Sequence, residues 1–190
     1  SYCAVILSLI GFFIRAYTVG TTPKGTSGRN TKEQKASFLN TTGIYSILRH
    51  PLYLANYLMW MGIVIFTFNP YLFIIVSLLY WIYYERIMYA EERFLERKFG
   101  KEYMCWSSSL PAFFPNLKLY KPSIIPFSLR TVLRREYSGV LATVIGFGFV
   151  ELIRNYFSVG EWYISSSFLY LLLAVSVIAL LLRSLKHYTA

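Results

Sequence analysis

The sequence predicts an all-α fold, an integral membrane bundle of about five transmembrane helices with a cytoplasmic helical extension and irregular cytoplasmic segments. Three observations carry that expectation. Of 190 residues, 56% are hydrophobic and only 15% charged, far too apolar for a soluble domain. Several apolar runs reach roughly 17 residues or more, enough to cross a bilayer. The basic residues gather between those runs rather than in a domain of their own.

The same composition excludes several classes. A net charge of +10 raises nucleic acid as a partner, but basic residues that interrupt apolar helices suit a membrane surface instead. Cys3 and Cys105 give neither a disulfide framework nor metal-ligand spacing. With His50 and His187 alone, and with every acidic residue a Glu, no metal site is expected. The chain lacks an initiator Met and its first apolar run starts at Ser1, so further N-terminal sequence is expected. That run has no basic leader and no small-residue cleavage site, and is not read as a cleaved signal peptide.

Taken in order, the chain reads as one membrane domain over 1–190. Residues 1–17 form the first span, closing at Arg15. Residues 18–51 form a loop, since Thr21 to Thr31 is rich in Gly, Pro, Ser and Asn. A loop of that length suggests function over idle connection. Residues 52–68 form the second span, and Asn69-Pro70 turns the chain into the third helix, 71–99. This helix outlasts its apolar stretch, continuing through Glu85 to Phe99 with Ile87, Phe94, Leu95 and Phe99 at helical spacing. Gly100 suits its C-terminal cap. In 100–137, Pro111, Pro115, Pro122 and Pro126 predict an irregular, aromatic-rich segment. The last two spans are expected at 138–156 and 162–183.

Orientation follows from the basic residues. Placing the loop after the first span inside also places 18 of the 19 Lys and Arg residues inside, with Arg154 alone outside. By the positive-inside rule, both segments that hold candidate chemistry face the cytoplasm.

The first of those segments is Thr42 to Tyr53, in which Arg49-His50-Pro51-Leu52-Tyr53 opens the second helix. Proline at the first turn of a helix removes an N–H that would be unpaired there anyway. Arg49 and His50 then sit at a positive helix mouth suited to an anionic or zwitterionic ligand. The plain alternative is headgroup anchoring by Arg49 and helix initiation by Pro51. The second segment holds Glu91-Glu92 on the extension of the third helix. Two adjacent carboxylates cannot both face solvent, and the inward one needs Arg49 or a cationic ligand. The alternative is a solvated face of helical ion pairs.

Arg49-His50-Pro51-Leu52-Tyr53, Glu91-Glu92-Arg93-Phe94-Leu95, Phe99-Gly100-Lys101-Glu102-Tyr103, then Pro111 and Pro115, resemble the isoprenylcysteine carboxyl methyltransferase and phospholipid methyltransferase superfamily. The ordered match covers Gly43 to Pro115. The resemblance implies a membrane methyltransferase that takes S-adenosyl-L-methionine from the cytosol, releases S-adenosyl-L-homocysteine and admits a lipid or lipidated acceptor from the bilayer. It also implies a cofactor pocket of Arg49, His50, Pro51 and Tyr53, an acidic pair Glu91 and Glu92, and Tyr103 on a closing segment. Tyr45, Tyr53 and Trp106 could pack on adenine or face the sulfonium. Arg49 or the helix mouth can hold the cofactor's carboxylate, and Glu91 or Glu92 its ammonium and ribose hydroxyls. Arg130 and Arg134, with Arg135, suit an anionic acceptor, so Arg49, Arg130 and Arg134 are the candidate catalytic residues. Their alternative is positive-inside anchoring.

The remaining sequence, Arg15-Ala16-Tyr17, residues 26–31 and the two last helices, departs from the eukaryotic carboxyl methyltransferase pattern. It looks more like a bacterial branch of the inner membrane, some of whose members methylate the 1-phosphate of lipid A. The expected reaction is O-methylation of an anionic group, a lipid phosphate ahead of an isoprenylcysteine carboxylate. Two rivals remain. Membrane sterol reductases, which use NADPH, share an Arg-His-Pro-x-Tyr and a following Glu-Arg, which Glu85-Arg86 could match. A non-catalytic scaffold has no sequence signature against it. A transporter is disfavoured, because the spans carry almost no charge, Glu151 and Arg154 lying at one end of the fourth.

Overall fold

A computed structural model of the chain describes residues 2–23 and 36–188, with side chains as far as 185. The loop residues 26–31, together with Lys24, Lys32 and Lys35, lie outside the described residues, as do the side chains of Lys186 and His187. The described chain is all-α: α1 (Tyr2–Gly20), α2 (Pro51–Ile65), α3 (Pro70–Phe99), α4 (Lys101–Ser108), α5 (Leu129–Val159) and α6 (Ser166–Tyr188). Short 3-10 turns lie at Ile44–Ser46 and Leu117–Leu119. Helices α1, α3, α5 and α6 are long and apolar enough to cross a membrane, and α2 is a shorter apolar helix. Broad apolar faces of α3 and α6 are exposed, as lipid-facing surfaces are.

The second helix is shorter than the expected 52–68. It has 15 residues, about 22 Å against a hydrocarbon core of about 30 Å. Its end has a local cause. The Thr67 hydroxyl donates to the Val64 carbonyl at 2.7 Å, Phe68 takes φ 57°, and the Asn69 side chain caps α3 by accepting from the amides of Tyr71 and Leu72. Helix α2 is instead the bundle's interior element. Gly11 of α1 faces the Ala55 carbonyl, and Gly62 of α2 faces the Ala4 carbonyl, each so closely that a Cβ would stand 2.5–2.6 Å from it. The Ser8 hydroxyl donates to the Met59 carbonyl at 2.9 Å across this interface. Small residues are what let membrane helices approach so closely.

Helix α5 starts at Leu129, not 138, because Ser128 beyond Pro126 supplies an N-cap, its hydroxyl accepting from the Thr131 amide at 3.3 Å. The segment 100–137 therefore contains α4 and the first turns of α5, and is irregular only between them. Helix α6 starts at Ser166, not 162. Before it, the Asn155 side chain donates to the Tyr163 carbonyl, Glu151 accepts from the Ser165 amide, and Tyr156 stacks on Trp162, holding the connection extended. At the other end of α1, the helix runs to Gly20 rather than 17, the Tyr17 and Thr18 carbonyls of its last turn accepting from the hydroxyls of Thr21 and Thr22.

Candidate functional site

Residues 43–50 carry the arginine and the histidine, and the segment after α4 fixes where they point. Gly43, with φ 62°, donates its amide to the Lys121 carbonyl, and Lys121 donates in turn to the Ser46 hydroxyl. The Asn116 amide donates to the Ile47 carbonyl, Arg49 to Pro111 at 3.0 Å and His50 to Ala112 at 3.1 Å. These backbone bonds hold Arg49 and His50 at the mouth of α2, with Pro51 buried at its first turn. The packed cluster Ile47, Leu48, Leu54, Met88 and Phe113 binds that mouth to α3.

Both carboxylates of the α3 extension come back to it. His50, 5% exposed, sets Nε2 at 2.8 Å from Glu92 Oε1 and Nδ1 at 3.8 Å from Glu91 Oε2. Arg49 Nη1 stands 3.1 Å from the same Glu92 oxygen. The Tyr53 hydroxyl donates to Glu91 Oε2 at 2.9 Å. Burial works against the Glu92 charge, but the His50 hydrogen bond and the Arg49 guanidinium outweigh it and hold the carboxyl below its ordinary pKa. Helix α4 closes one side. Trp106 Nε1 donates to the Tyr45 carbonyl at 3.2 Å, and Tyr103 is buried. Burial, followed by the Glu92 charge, pushes the Tyr103 phenol up, and burial followed by Glu91 does the same for Tyr45.

Two groups in this cluster stand out among the described residues: Arg49 Nε and the Tyr103 hydroxyl are buried without a hydrogen-bond partner. A buried polar group left unpaired costs about 1–3 kcal/mol, and the Arg49 guanidinium lies near enough to the Tyr103 phenol to work against the upward push of burial. They border a cleft of about 290 Å³ whose wall also includes Tyr89, Glu92, Glu96 and Met104. Arg93 lines it too and donates to Glu96 at 2.7 Å, as Arg49 pairs with Glu92, so the cleft wall holds both cations and carboxylates, a setting for a ligand carrying both an anionic and a cationic group.

Tyr45, Arg49, His50, Pro51, Tyr53, Glu91, Glu92 and Tyr103 thus come together. Arg130 and Arg134 stand on the first two turns of α5, which packs on α1 and α2; Arg130 is exposed and Arg134 half-buried. Sequence reasoning passed over Tyr89 and Met104, whose helical spacing from Glu92 and Tyr103 carries no chemical signature. It also passed over a polar cluster among the spans: Arg15 of α1 donates to Glu136 of α5 and to Asn56 of α2. Glu136 lies within α5, ahead of the expected fourth span at 138–156, and is 3% exposed. Its helical signal was the Ser128 cap. Among the described residues, no group of three or more His, Cys, Asp or Glu side chains is placed to hold a metal ion.

An all-α membrane bundle with an Arg-His pair locked to a Glu-Glu pair defines a class of helical membrane proteins with a small-ligand cleft at one end. The family within that class follows from comparison. The phospholipid methyltransferase family model matches residues 1–102, just over half of the chain, and the chain belongs to this family. Curated relatives include the nickel-cobalt-cadmium resistance protein NccN of Alcaligenes xylosoxydans xylosoxydans, 35% identical over 88 residues, 46% of this chain and 41% of the relative. A probable protein-S-isoprenylcysteine O-methyltransferase of Oryza sativa subsp. japonica is 30% identical over 105 residues, 54% of each chain. Protein-S-isoprenylcysteine O-methyltransferase B of Arabidopsis thaliana is 35% identical over 79 residues, 40% of this chain and 39% of the relative. The chain thus spans about half, or less, of the length of these relatives. No solved structure is significantly similar to it.

Proposed function

We propose that this chain is a membrane methyltransferase that uses S-adenosyl-L-methionine to methylate an anionic group, a lipid phosphate or an isoprenylcysteine carboxylate, on an acceptor reached from the bilayer. The observation that carries the reading is the cleft lined by Arg49 and Tyr103, whose Nε and hydroxyl are buried without a hydrogen-bond partner, together with Glu92 and Glu96. Membership of the phospholipid methyltransferase family supports it. So do the two plant relatives, whose names state isoprenylcysteine O-methylation.

The residues present fit the cofactor. Arg49 and Tyr103 would hold its carboxylate, and Glu92 with Glu96 or Glu91 its ammonium and hydroxyls. When bound, the cofactor supplies a sulfonium methyl: the acceptor oxygen's lone pair forms the new C–O bond as the C–S bond breaks, leaving S-adenosyl-L-homocysteine. An anionic oxygen already carries its lone pair, so no residue has to remove a proton. The work of the chain is orientation and exclusion of water. His50 holds both carboxylates in register, Tyr53 fixes Glu91, and the Trp106 bond to Tyr45 keeps α4 over the cleft.

The one-sided distribution of Lys and Arg, 18 of the 19, supports a cleft facing the cytoplasm. The test is calorimetric titration of the detergent-purified protein with S-adenosyl-L-homocysteine, with NADPH in parallel. Saturable binding of the first alone is expected. Binding of NADPH alone would replace the reading with a reductase, and silence from both, in folded protein, would leave a scaffold.

A further inference from the structure

Residues 116–128 cross the cleft end of the bundle, and hydrogen bonds pin them to the ends of the helices there. The Asn116 amide donates to the Ile47 carbonyl at 2.9 Å, beside the mouth of α2. The Ser123 hydroxyl donates to the Thr21 carbonyl at 3.2 Å, and the Ser128 amide to the Gly20 carbonyl at 2.9 Å, both where α1 ends. The hydroxyls of Tyr17 and Tyr120 bond at 2.7 Å. The segment therefore lies at the level where α1 ends and α2 and α5 begin.

The spans set the depth of that level. Leu129 and Glu151 stand about 33 Å apart along α5, against about 30 Å for a hydrocarbon core. Glu151, whose carboxylate accepts from the Ser165 amide, marks the far boundary. Leu129 and the segment before it then fall at the near boundary, where acyl chains give way to headgroups.

At that depth the segment presents apolar side chains. Leu117 is 72% exposed, Ile124 84% and Leu129 60%, and Leu133, one turn further, carries the row onto the span itself. An apolar row of this kind marks an interaction surface. Charge selects the partner. Between Glu102 and Glu136 the sequence has five Lys and Arg residues and no acid, and Lys118 and Lys121 are exposed among the apolar side chains. Apolar side chains at the hydrocarbon boundary with cations between them compose an element that lies in a membrane surface, drawn to anionic headgroups.

We propose that residues 117–129 are an interfacial anchor: Leu117, Ile124 and Leu129 sit among acyl chains on the cleft's side of the membrane, and Lys118 and Lys121 hold anionic headgroups. Bonded to both Ile47 and Gly20, the anchor sets the height of the cleft over the bilayer. What the cleft binds plays no part in this placement.

The experiment is spin labelling of the full chain in nanodiscs of phosphatidylcholine, with and without phosphatidylglycerol, on a Cys3→Ser, Cys105→Ser background. Labels enter through Leu117→Cys, Ile124→Cys and, on the exposed end of the α3 extension, Arg97→Cys. Power saturation compares access by oxygen, which concentrates among acyl chains, with access by a neutral nickel chelate, which stays in water. The chelate should reach the labels at 117 and 124 several-fold less than the label at 97, and oxygen should favour them. Phosphatidylglycerol should lower chelate access at 117 and 124 further, and Lys118→Gln with Lys121→Gln should abolish that added shift. Chelate access at 117 and 124 equal to that at 97 overturns the anchor and leaves this face to a soluble protein partner. No response to phosphatidylglycerol, or a response that survives the loss of both lysines, overturns their role in holding headgroups.

Discussion

His50 and Glu92 meet at 2.8 Å at the open end of the α2–α3 hairpin, 42 residues apart in sequence. The same Glu92 oxygen takes Arg49 at 3.1 Å. One carboxylate oxygen thus ties the mouth of an inner helix to the charged extension of its neighbour, and the cleft exists because of that tie.

Glu92→Gln keeps the shape of the side chain and removes the charge that Arg49 and His50 share. Under the proposed cofactor site, S-adenosyl-L-homocysteine affinity should fall roughly tenfold, since Glu92 is partly open to solvent and its pair is screened. Calorimetry of the variant checks this. Wild-type affinity would remove Glu92 from the site.

Tyr103→Phe should move stability and binding in opposite directions. It removes a buried hydroxyl that has no partner, so the ligand-free protein should melt at the same temperature or slightly higher. Affinity for S-adenosyl-L-homocysteine should fall several-fold if that hydroxyl serves the ligand. Melting curves with and without ligand report both, and a lower melting temperature without ligand contradicts the account.

Gly62→Ala tests the packing that sets the position of α2. Its Cβ would stand 2.0 Å from the Ser8 hydroxyl and 2.5 Å from the Ala4 carbonyl. The hydroxyl can turn away but the carbonyl cannot, so α1 and α2 must part, at a cost of about 1–3 kcal/mol. Thermal unfolding in detergent should shift down accordingly. No shift would show that the interface yields freely.

Acid should disarm the site late. The Glu92 pKa is lowered from 4.5 in the folded protein, so its ionised form is favoured by folding. That contribution is present above the unfolded value and lost as pH falls through the lower, folded one. Ligand affinity traced by titration should therefore hold through pH 5 as far as Glu92 governs it, and fall only below the ordinary carboxylate range.

Much of this was legible in the residues. Pro51 at a helix start indicated where Arg49 and His50 stand, and for the inward one of Glu91-Glu92, on the helix beyond the turn, Arg49 was one of the two partners expected. The end of α2 was not legible, because the stop at Ile65 depends on Thr67 turning its hydroxyl back and Phe68 taking positive φ, while the residues themselves stay apolar. Nor was the start of α5. Four prolines suggested an irregular segment over 100–137, and the Ser128 cap that starts α5 within it is a single hydroxyl. With the fourth span expected at 138–156, Glu136 fell outside it, and its pairing with Arg15, 121 residues away, could not be seen.

The central claim is that the Arg49–Glu92 cleft binds the methyl donor. The most direct measurement is the S-adenosyl-L-homocysteine affinity of folded Arg49→Ala beside Arg130→Ala. The account predicts a loss of tenfold or more, about 1.4 kcal/mol, for the first and none for the second. Wild-type affinity in a folded Arg49→Ala protein would contradict it.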